Sequence, residues 1–342
     1  MAEKIIVAPL NWGLGHASRC VPIIHFLLAN KYTPVLASDG NALTFLRKEF
    51  PLLESLELPS YNITYAKNLK WNLFRQIPKV LKAVRKEEKI IHSFITQNKD
   101  VVGIISDNRF GVRSKKIPSV YITHQANVLS GFTTFITSKI HKRIIKKFDE
   151  CWIPDVKNND YSGKLSKVKG SKFKFIGLLS RFQQENLPTK NEILIVLSGI
   201  ESQRVSLEKK LIETFTNSSK KIMLIQGKIE EKQQKKVKGN LTIYNYLLSE
   251  DLQREINQSE LIICRSGYSS IMDLAILGKK AILIPTPGQT EQEYLAKYLE
   301  AKKYAPFVLQ NEFTIDKLQC IEKYNGLYCK KNMLDKDLLS LF

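Results

Sequence analysis

Along the whole chain of 342 residues, short runs of β-branched and aliphatic residues alternate with longer segments of helical periodicity. This alternation predicts parallel sheets wrapped by helices, because parallel strands need a long crossover connection that is usually a helix. In the first half, strands are predicted over residues 4–8, 33–38, 52–58, 101–106, 119–123, 151–154 and 172–176, with helices over 17–30 and 77–97. Helical spacing in the second of these helices places its apolar residues on one face, namely Val80, Leu81, Val84, Ile91 and Phe94.

A polar segment over 183–191, which contains Pro188, interrupts the pattern and is the best linker candidate. The alternation then restarts, with strands predicted over 192–197, 221–226, 241–244, 261–264 and 281–285 and helices over 206–216, 269–277 and from about 292 onward. The chain is therefore predicted to form two Rossmann-like doubly wound α/β domains, 1–183 and 192–342, with the final helix able to cross back to the first. Such domains bind ligands at the carboxyl ends of their strands, so the site is expected in an interdomain cleft.

The first strand ends in a glycine-rich loop, Asn-Trp-Gly-Leu-Gly-His, that contains Gly13, Gly15 and His16 and leads into a helix. Glycines allow a tight turn and bring the helix N-terminus close to a ligand. The dinucleotide-binding fingerprint is incomplete, because its third glycine and its acidic residue are missing. A histidine in this place can take a proton from a bound hydroxyl near neutral pH, although it can also simply cap the helix. Asp107, at another strand end, is expected to orient the acceptor or His16, and His124 is a weaker second candidate base.

The densest motif follows a buried strand of the second half and opens a helix. Its residues are Arg265, Ser266, Gly267, Tyr268, Ser269, Ser270 and Asp273. Backbone N–H groups at the start of a helix suit a phosphate. Asp273 is placed to accept both hydroxyls of a ribose, and the alternative is a solvated helix residue. The next strand ends in a loop whose amides and carboxylates suit sugar hydroxyls, with Gln289, Glu291, Gln292 and Glu293.

The segment from about 190 to 300 resembles the C-terminal domain of glycosyltransferase family 28, and the loop from Gly13 to His16 is similar to the glycine-rich N-terminal loop of the same enzymes. That loop also resembles the Gly-His-x-x-Arg sequence of a nucleotide-sugar hydrolase. The resemblance implies the GT-B fold and a UDP-sugar donor, and deprotonation of the acceptor hydroxyl by His16 would give inversion. It also implies that the N-terminal domain binds the acceptor.

Carried over by position, the resemblance implies a role for each motif residue. Asp273 takes the place of a glutamate that holds the ribose, Gln292 matches a glutamine that contacts the donor sugar, and Glu293 replaces a second glutamine. The diphosphate would be surrounded by Ser266 to Ser270 and by Ser198 and Gly199, and the uracil would lie near Leu248 and Ser249.

These observations predict a metal-independent glycosyltransferase that moves a hexosyl group, an N-acetylhexosaminyl group included, to an acceptor hydroxyl. His16 would be the base. Helix N-termini near Ser202 and Ser269, with Arg265 or Arg204, would stabilise the leaving diphosphate, so no cofactor is expected. The alternative enzyme is a nucleotide-sugar hydrolase in which His16 activates water. A basic nucleic-acid-binding protein is a third alternative, but no recognised binding module occurs, so nucleic acid is not expected as a partner.

Basic residues are concentrated in the first half of a chain whose net charge is +20: residues 61–150 carry 18 Lys and Arg against 6 Asp and Glu. An amphipathic helix is predicted over 134–148, with Phe135, Ile136, Ile140, Ile144 and Phe148 on one side and lysines around the rest. The alternative is a lysine-rich composition with no special partner. We hypothesise a cytoplasmic protein, peripheral on the inner face of the plasma membrane, with a glycan or lipid-linked acceptor. The five cysteines lack metal or disulfide spacing, which is consistent with a reducing compartment.

Overall fold

The computed structural model describes residues 2–61, 69–129, 134–157, 161–199, 201–329 and 334–342, without the side chains of 69–75 and 134–136. The predicted positions of Phe135 and Ile136 therefore lie outside the described side chains. Two sheets wrapped by helices account for most of the described chain, which confirms the doubly wound α/β prediction.

The first sheet has seven parallel strands in the order β3-β2-β1-β4-β5-β6-β7. They are β1 (Lys4–Pro9), β2 (Thr33–Ser38), β3 (Ser55–Glu57), β4 (Val101–Asp107), β5 (Ser119–Ile122), β6 (Glu150–Ile153) and β7 (Phe173–Phe175). The helices between them are α1 (Gly15–Ala29), α2 (Gly40–Glu49), α3 (Leu69–Gln97) and α4 (Thr134–Ile145). The central strands are aliphatic and fully buried, as strands covered on both faces must be.

The second sheet has the order β10-β11-β9-β8-β12-β13, with only β10 antiparallel to its neighbour. Its strands are β8 (Asn191–Val196), β9 (Ile222–Ile225), β10 (Lys235–Lys238), β11 (Leu241–Tyr244), β12 (Ser259–Cys264) and β13 (Ala281–Leu283). Its helices are α5 (Glu201–Phe215), α6 (Ser249–Asn257), α7 (Tyr268–Leu277) and α8 (Thr290–Ala301).

Each sheet reverses its strand order at one point, between β1 and β4 in the first and between β8 and β12 in the second. Ligands of open parallel sheets bind at such points, beyond the carboxyl ends of the strands. The two glycine-containing motifs of the sequence follow β1 and β12. The fold therefore places both motifs at the positions where a ligand is expected.

The two domains share one continuous apolar core in which α1 packs against α7. The chain also returns to the first domain near its end, where the ring of Phe342 lies 6.3 Å from that of Trp152 and covers Gly103 of β4.

Three short polar elements were not predicted, namely α2, β10 and α6. Strand β10 has the sequence Lys-Lys-Val-Lys and is wholly exposed, so it carries no hydrophobic pattern. Two predictions of helix faces were wrong in detail, because Leu81 of α3 and Ile140 of α4 are about half exposed. His141 and Ile145 occupy the buried face of α4 instead.

Candidate active site

His16 and Asp107 form a hydrogen-bonded pair at the reversal point of the first sheet. His16 Nδ1 lies 2.9 Å from Asp107 Oδ1. The Asp107 side chain is fully buried, whereas 17% of the His16 side chain is exposed. Burial lowers the pKa of His16, and the opposing effect of Asp107 is too small to reverse this, so the imidazole is neutral near pH 7.

Arg19, one helical turn after His16, holds the Asp107 carboxylate with two hydrogen bonds. Its Nε lies 2.5 Å from Asp107 Oδ2, and its Nη2 contacts Oδ1. Burial alone would raise the pKa of Asp107, but Arg19 and then His16 outweigh it and keep the carboxyl ionised. The sequence analysis missed the role of Arg19, although its spacing of three from His16 places both side chains on one helix face.

The Asp107 carboxylate, an acceptor, determines which His16 nitrogen carries the proton. Nη2 of Arg19 also lies 2.8 Å from His16 Nδ1, but this donor already has an acceptor in Asp107 Oδ1 and so does not require a lone pair on Nδ1. We therefore assign the proton to Nδ1, which donates to Asp107. The lone pair of Nε2 is then left to accept a proton.

The glycine loop of the first domain lies directly against the motif loops of the second. The Ser269 hydroxyl donates to the Gly15 carbonyl over 2.8 Å. A side chain added at Gly13, where φ is +72°, would come within 3.8 Å of the Gly199 Cα. His16 thus lies beside the N-terminus of α7 and the loop of Ser198 and Gly199, the predicted diphosphate site.

Asp273 lies on α7 in a buried charged cluster. It accepts a hydrogen bond of 2.6 Å from the Ser180 hydroxyl. Burial raises its pKa to about 6, and nearby Arg181 and the Ser180 hydrogen bond only partly offset that effect. Arg181 was not predicted. Its Nε and Nη1 are buried without a hydrogen-bond partner, so this guanidinium has unused capacity for an anion next to the predicted ribose residue.

The N-terminus of α6, the predicted uracil position, is capped from the other domain. Glu49 accepts from the Ser249 backbone N–H over 2.8 Å and from its hydroxyl over 2.7 Å. Glu49 Oε1 also lies 3.8 Å from Arg181 Nη1. The donor-side residues Ser249, Arg181 and Asp273 are thus brought together in the cleft.

Several predicted contact residues hold the loops together instead. Both terminal nitrogens of Arg265 donate within the protein, to the carbonyls of Ile284, Pro285 and Gln203 and to Gln310, so this guanidinium mainly holds the loops in place and its contact with a leaving diphosphate stays a prediction. Arg204 likewise donates to the Gln226 carbonyl. Internal hydrogen bonds also occupy Ser266, which is fully buried, Gln292, whose Oε1 accepts from Thr286 N, and Glu293, which accepts from Gly288 N.

The remaining predicted residues line the domain boundary. Tyr268 is buried, and its hydroxyl donates to the Pro154 carbonyl over 2.9 Å. Gly267 has open space where a side chain would stand. Ser270 and Gln289 are partly exposed on α7 and just before α8. Among the described residues, no group of three or more His, Cys, Asp or Glu is placed to hold a metal ion.

Comparison with known proteins agrees with this geometry. Over 95% of the chain, the fold superposes on the crystal structure of MurG from Acinetobacter baumannii, with a TM-score of 0.54, 16% identity and 93% of that chain covered. A glycosyltransferase of kitacinnamycin superposes with a TM-score of 0.64 at 14% identity, covering 94% of this chain and 90% of that one. The chain is a glycosyltransferase of the GT-B class.

Its C-terminal half resembles glycosyltransferase family 28, since residues 196–324 match the model of the family 28 C-terminal domain. The chain is also 24% identical over 277 residues to a transferase of Finegoldia magna, covering 78% of this chain and 73% of that one. That relative is named UDP-N-acetylglucosamine–N-acetylmuramyl-(pentapeptide) pyrophosphoryl-undecaprenol N-acetylglucosamine transferase.

Proposed function

We propose that this chain is an inverting, metal-independent glycosyltransferase that moves a hexosyl group, an N-acetylhexosaminyl group included, from a UDP-sugar to an acceptor hydroxyl. One observation carries the proposal: the His16–Asp107 pair lies directly against the N-terminus of α7, to which Ser269 links it. The name of the Finegoldia magna relative supports a UDP-linked donor.

The donor site consists of groups that can bind a nucleoside diphosphate without a metal. Asp273 accepts hydrogen bonds from the ribose hydroxyls. Arg181 supplies a positive charge, and its buried Nε and Nη1 have no hydrogen-bond partner. Free N–H groups and the positive end of the dipole at the start of α7 face the diphosphate. Negative charge grows on the diphosphate as the bond breaks, so these fixed groups stabilise the transition state.

His16 acts as the general base in a single displacement. The acceptor hydroxyl gives its proton to His16 Nε2 while its oxygen bonds to the anomeric carbon. The bond from that carbon to the diphosphate breaks on the opposite side, so the configuration inverts and UDP leaves. Asp107 stabilises the imidazolium that forms, as the acidic residue does in other histidine-based sites.

The acceptor is proposed to be carried by a membrane. Exposed Ile77 and Leu81 of α3 and Ile140 of α4 stand among exposed lysines. Phe110 packs, as Val80 and Val84 of α3 do, against the buried Leu10, Tyr61 and Ala83, and its ring centroid lies 6.4 Å from that of His141 of α4, so Phe110 adjoins both helices. No helix in the described part of the chain is long and apolar enough to span a membrane.

A basic surface with a few exposed apolar side chains suits peripheral binding to anionic lipid at the inner face of the plasma membrane. The relative's undecaprenol-linked acceptor supports a lipid-linked glycan and a role in cell-envelope glycan synthesis.

The test replaces His16 with alanine in the full chain. We expect kcat to fall by about 10²–10⁴ while UDP affinity stays within about twofold, because the side chain is needed only for proton transfer. His92→Ala, an exposed histidine on α3, is the control. EDTA should leave turnover unchanged. Equal loss of stability and activity would assign His16 a structural role, and sugar release without any acceptor dependence would favour the hydrolase.

A further inference from the structure

A chain of side-chain contacts links His16 to the second domain. Beyond Arg19, the chain continues to His124, whose Nδ1 lies 3.1 Å from Arg19 Nη1. His124 Nε2 lies 2.6 Å from Glu291 Oε1, and Gln125 donates to the other oxygen of that carboxylate. Glu291 belongs to the first turn of α8. The contact with His124 is therefore made across the domain boundary.

The two neighbours of His124 require the same state of its ring. Arg19 can only donate, so it needs a lone pair on Nδ1, and the Glu291 carboxylate needs a proton on Nε2. Both needs are met by one neutral tautomer. The ring is also stacked on Tyr268, with centroids 4.3 Å apart and an interplanar angle of 12°. His124 is thus fixed in position and in tautomer.

Removing the carboxylate would release this constraint. The Nε2 proton would lose its acceptor, and the tautomer with the proton on Nδ1 would become competitive. In that tautomer Nδ1–H would face Arg19 Nη1, which is also a donor. Because the Arg19 side chain is only 2% exposed, water could not easily separate the two donors. Arg19 would then shift, and its hydrogen bonds to Asp107 would shift with it.

We propose that Glu291 is a positioning residue for the reaction. From the second domain it fixes the His124 ring, which fixes Arg19 and through it the Asp107–His16 pair. The base is therefore aligned only when the two domains are in contact. This proposal rests on the proposed role of His16 as the base.

A double-mutant cycle in the full chain tests it, with Glu291→Ala, His124→Phe and the double variant. Phenylalanine keeps a ring against Tyr268 but removes both hydrogen bonds. We expect each single variant to lower kcat about tenfold with UDP affinity within about twofold, and the double variant to be no slower than His124→Phe alone, because both changes break one chain of contacts. Glu291→Gln keeps an acceptor for Nε2–H and should recover most of the rate. Glu300→Ala, on the same helix, should match the unchanged protein.

Nitrogen-15 NMR of labelled histidines gives a readout independent of activity. His124 should carry its proton on Nε2 in the unchanged protein and show a mixture of tautomers in Glu291→Ala. Additive losses in the double variant, a fall in UDP affinity equal to the fall in kcat, or an unchanged His124 tautomer would each overturn the proposal. None of these outcomes touches the assignment of His16, which the His16→Ala variant tests separately.

Discussion

Two carboxylates in this cleft, the fully buried Asp107 and the partly buried Asp273, differ in charge state because their neighbours differ. Asp107 is held by two hydrogen bonds from Arg19, so its pKa is lowered in spite of burial. Asp273 has only a hydroxyl donor and the more distant Arg181, so burial dominates and its pKa is raised to about 6. Asp107 therefore stays ionised at any physiological pH, whereas Asp273 titrates close to neutrality.

Donor affinity should accordingly depend on pH through Asp273. Below pH 6 the protonated carboxyl has lost acceptor capacity, so affinity for a UDP-hexose should rise about tenfold between pH 5 and pH 7.5, since hydrogen bonds to charged groups are worth more. A UDP-hexose is the right probe because its diphosphate does not titrate in that range. Calorimetry at several pH values measures the effect. Asp273→Asn should flatten the profile and Asp251→Asn should not, while a flat profile in the unchanged protein would refute the ribose assignment.

At the scale of elements, burial decides what the sequence could predict. Buried aliphatic strands such as β1 and β12 were predicted to within two residues, so the places of the residues that follow them in the fold, His16 and Ser266 among them, could be predicted too. Arg19 and Arg181 were missed because their partners are distant in sequence: Asp107 lies 88 positions from Arg19. Local periodicity contains no information about such pairs. The exposed β10 has no hydrophobic pattern, whereas α2 and α6 do bury residues at helical spacing, Leu43 and Leu46 in α2 and Leu252 and Ile256 in α6, but over only ten and nine residues.

The outer face of α4 should bind anionic lipid. Lys142 and Arg143 on α4 and Lys146 and Lys147 in the turn that follows it are all exposed, and basic residues near an anionic surface contribute about 1 kcal/mol each. Changing all four to Glu should abolish co-sedimentation with anionic liposomes at low salt. Binding by the unchanged protein should fall as salt is raised, and Ile140→Ser should weaken it further at high salt.

The control changes Lys235, Lys236 and Lys238 of β10 to Glu, which lowers the net charge by a similar amount in the other domain. This variant should still sediment with anionic liposomes. Equal loss of binding in both variants would show that net charge alone is responsible. Equal sedimentation with neutral and anionic liposomes, or none with either, would indicate a soluble acceptor.

At the scale of the whole molecule, the two domains depend on each other for burial. Tyr268 and Met272 of α7 are buried and both contact the first domain: the Tyr268 ring stacks on His124, and the backbone N–H of Leu179 donates to Met272 Sδ. The returning segment adds Phe342 to the first domain. The presence of two domains could be predicted, because the alternation of strands and helices restarts after residue 191. The core that the domains share could not be predicted, because no sequence repeat relates the two surfaces that meet.

A substitution at Gly103 tests whether the C-terminal segment that ends at Phe342 stabilises the first domain. A Cβ at this position would collide with the Phe342 ring, so Gly103→Ala should lower the free energy of unfolding by about 1–3 kcal/mol. Thermal and urea unfolding measure this. Phe342→Ala removes the collision, so the double variant should be no less stable than Phe342→Ala alone. Full additivity would show that Gly103 matters for another reason.

The chain first passes between the domains near Gln184, which adjoins Gly278 at the end of α7. A Cβ on that glycine would come within 3.9 Å of Gln184 and of Tyr328, which precedes the second passage. Contact with both segments makes this end of α7 a pivot, and the helix extends from it toward the cleft over ten residues, about 15 Å. A turn of about 10° would move its far end by roughly 3 Å, enough to separate Ser269 from Gly15. Small rotations at the pivot would thus part the two loops at the catalytic end while the apolar core near Gly278 stays packed.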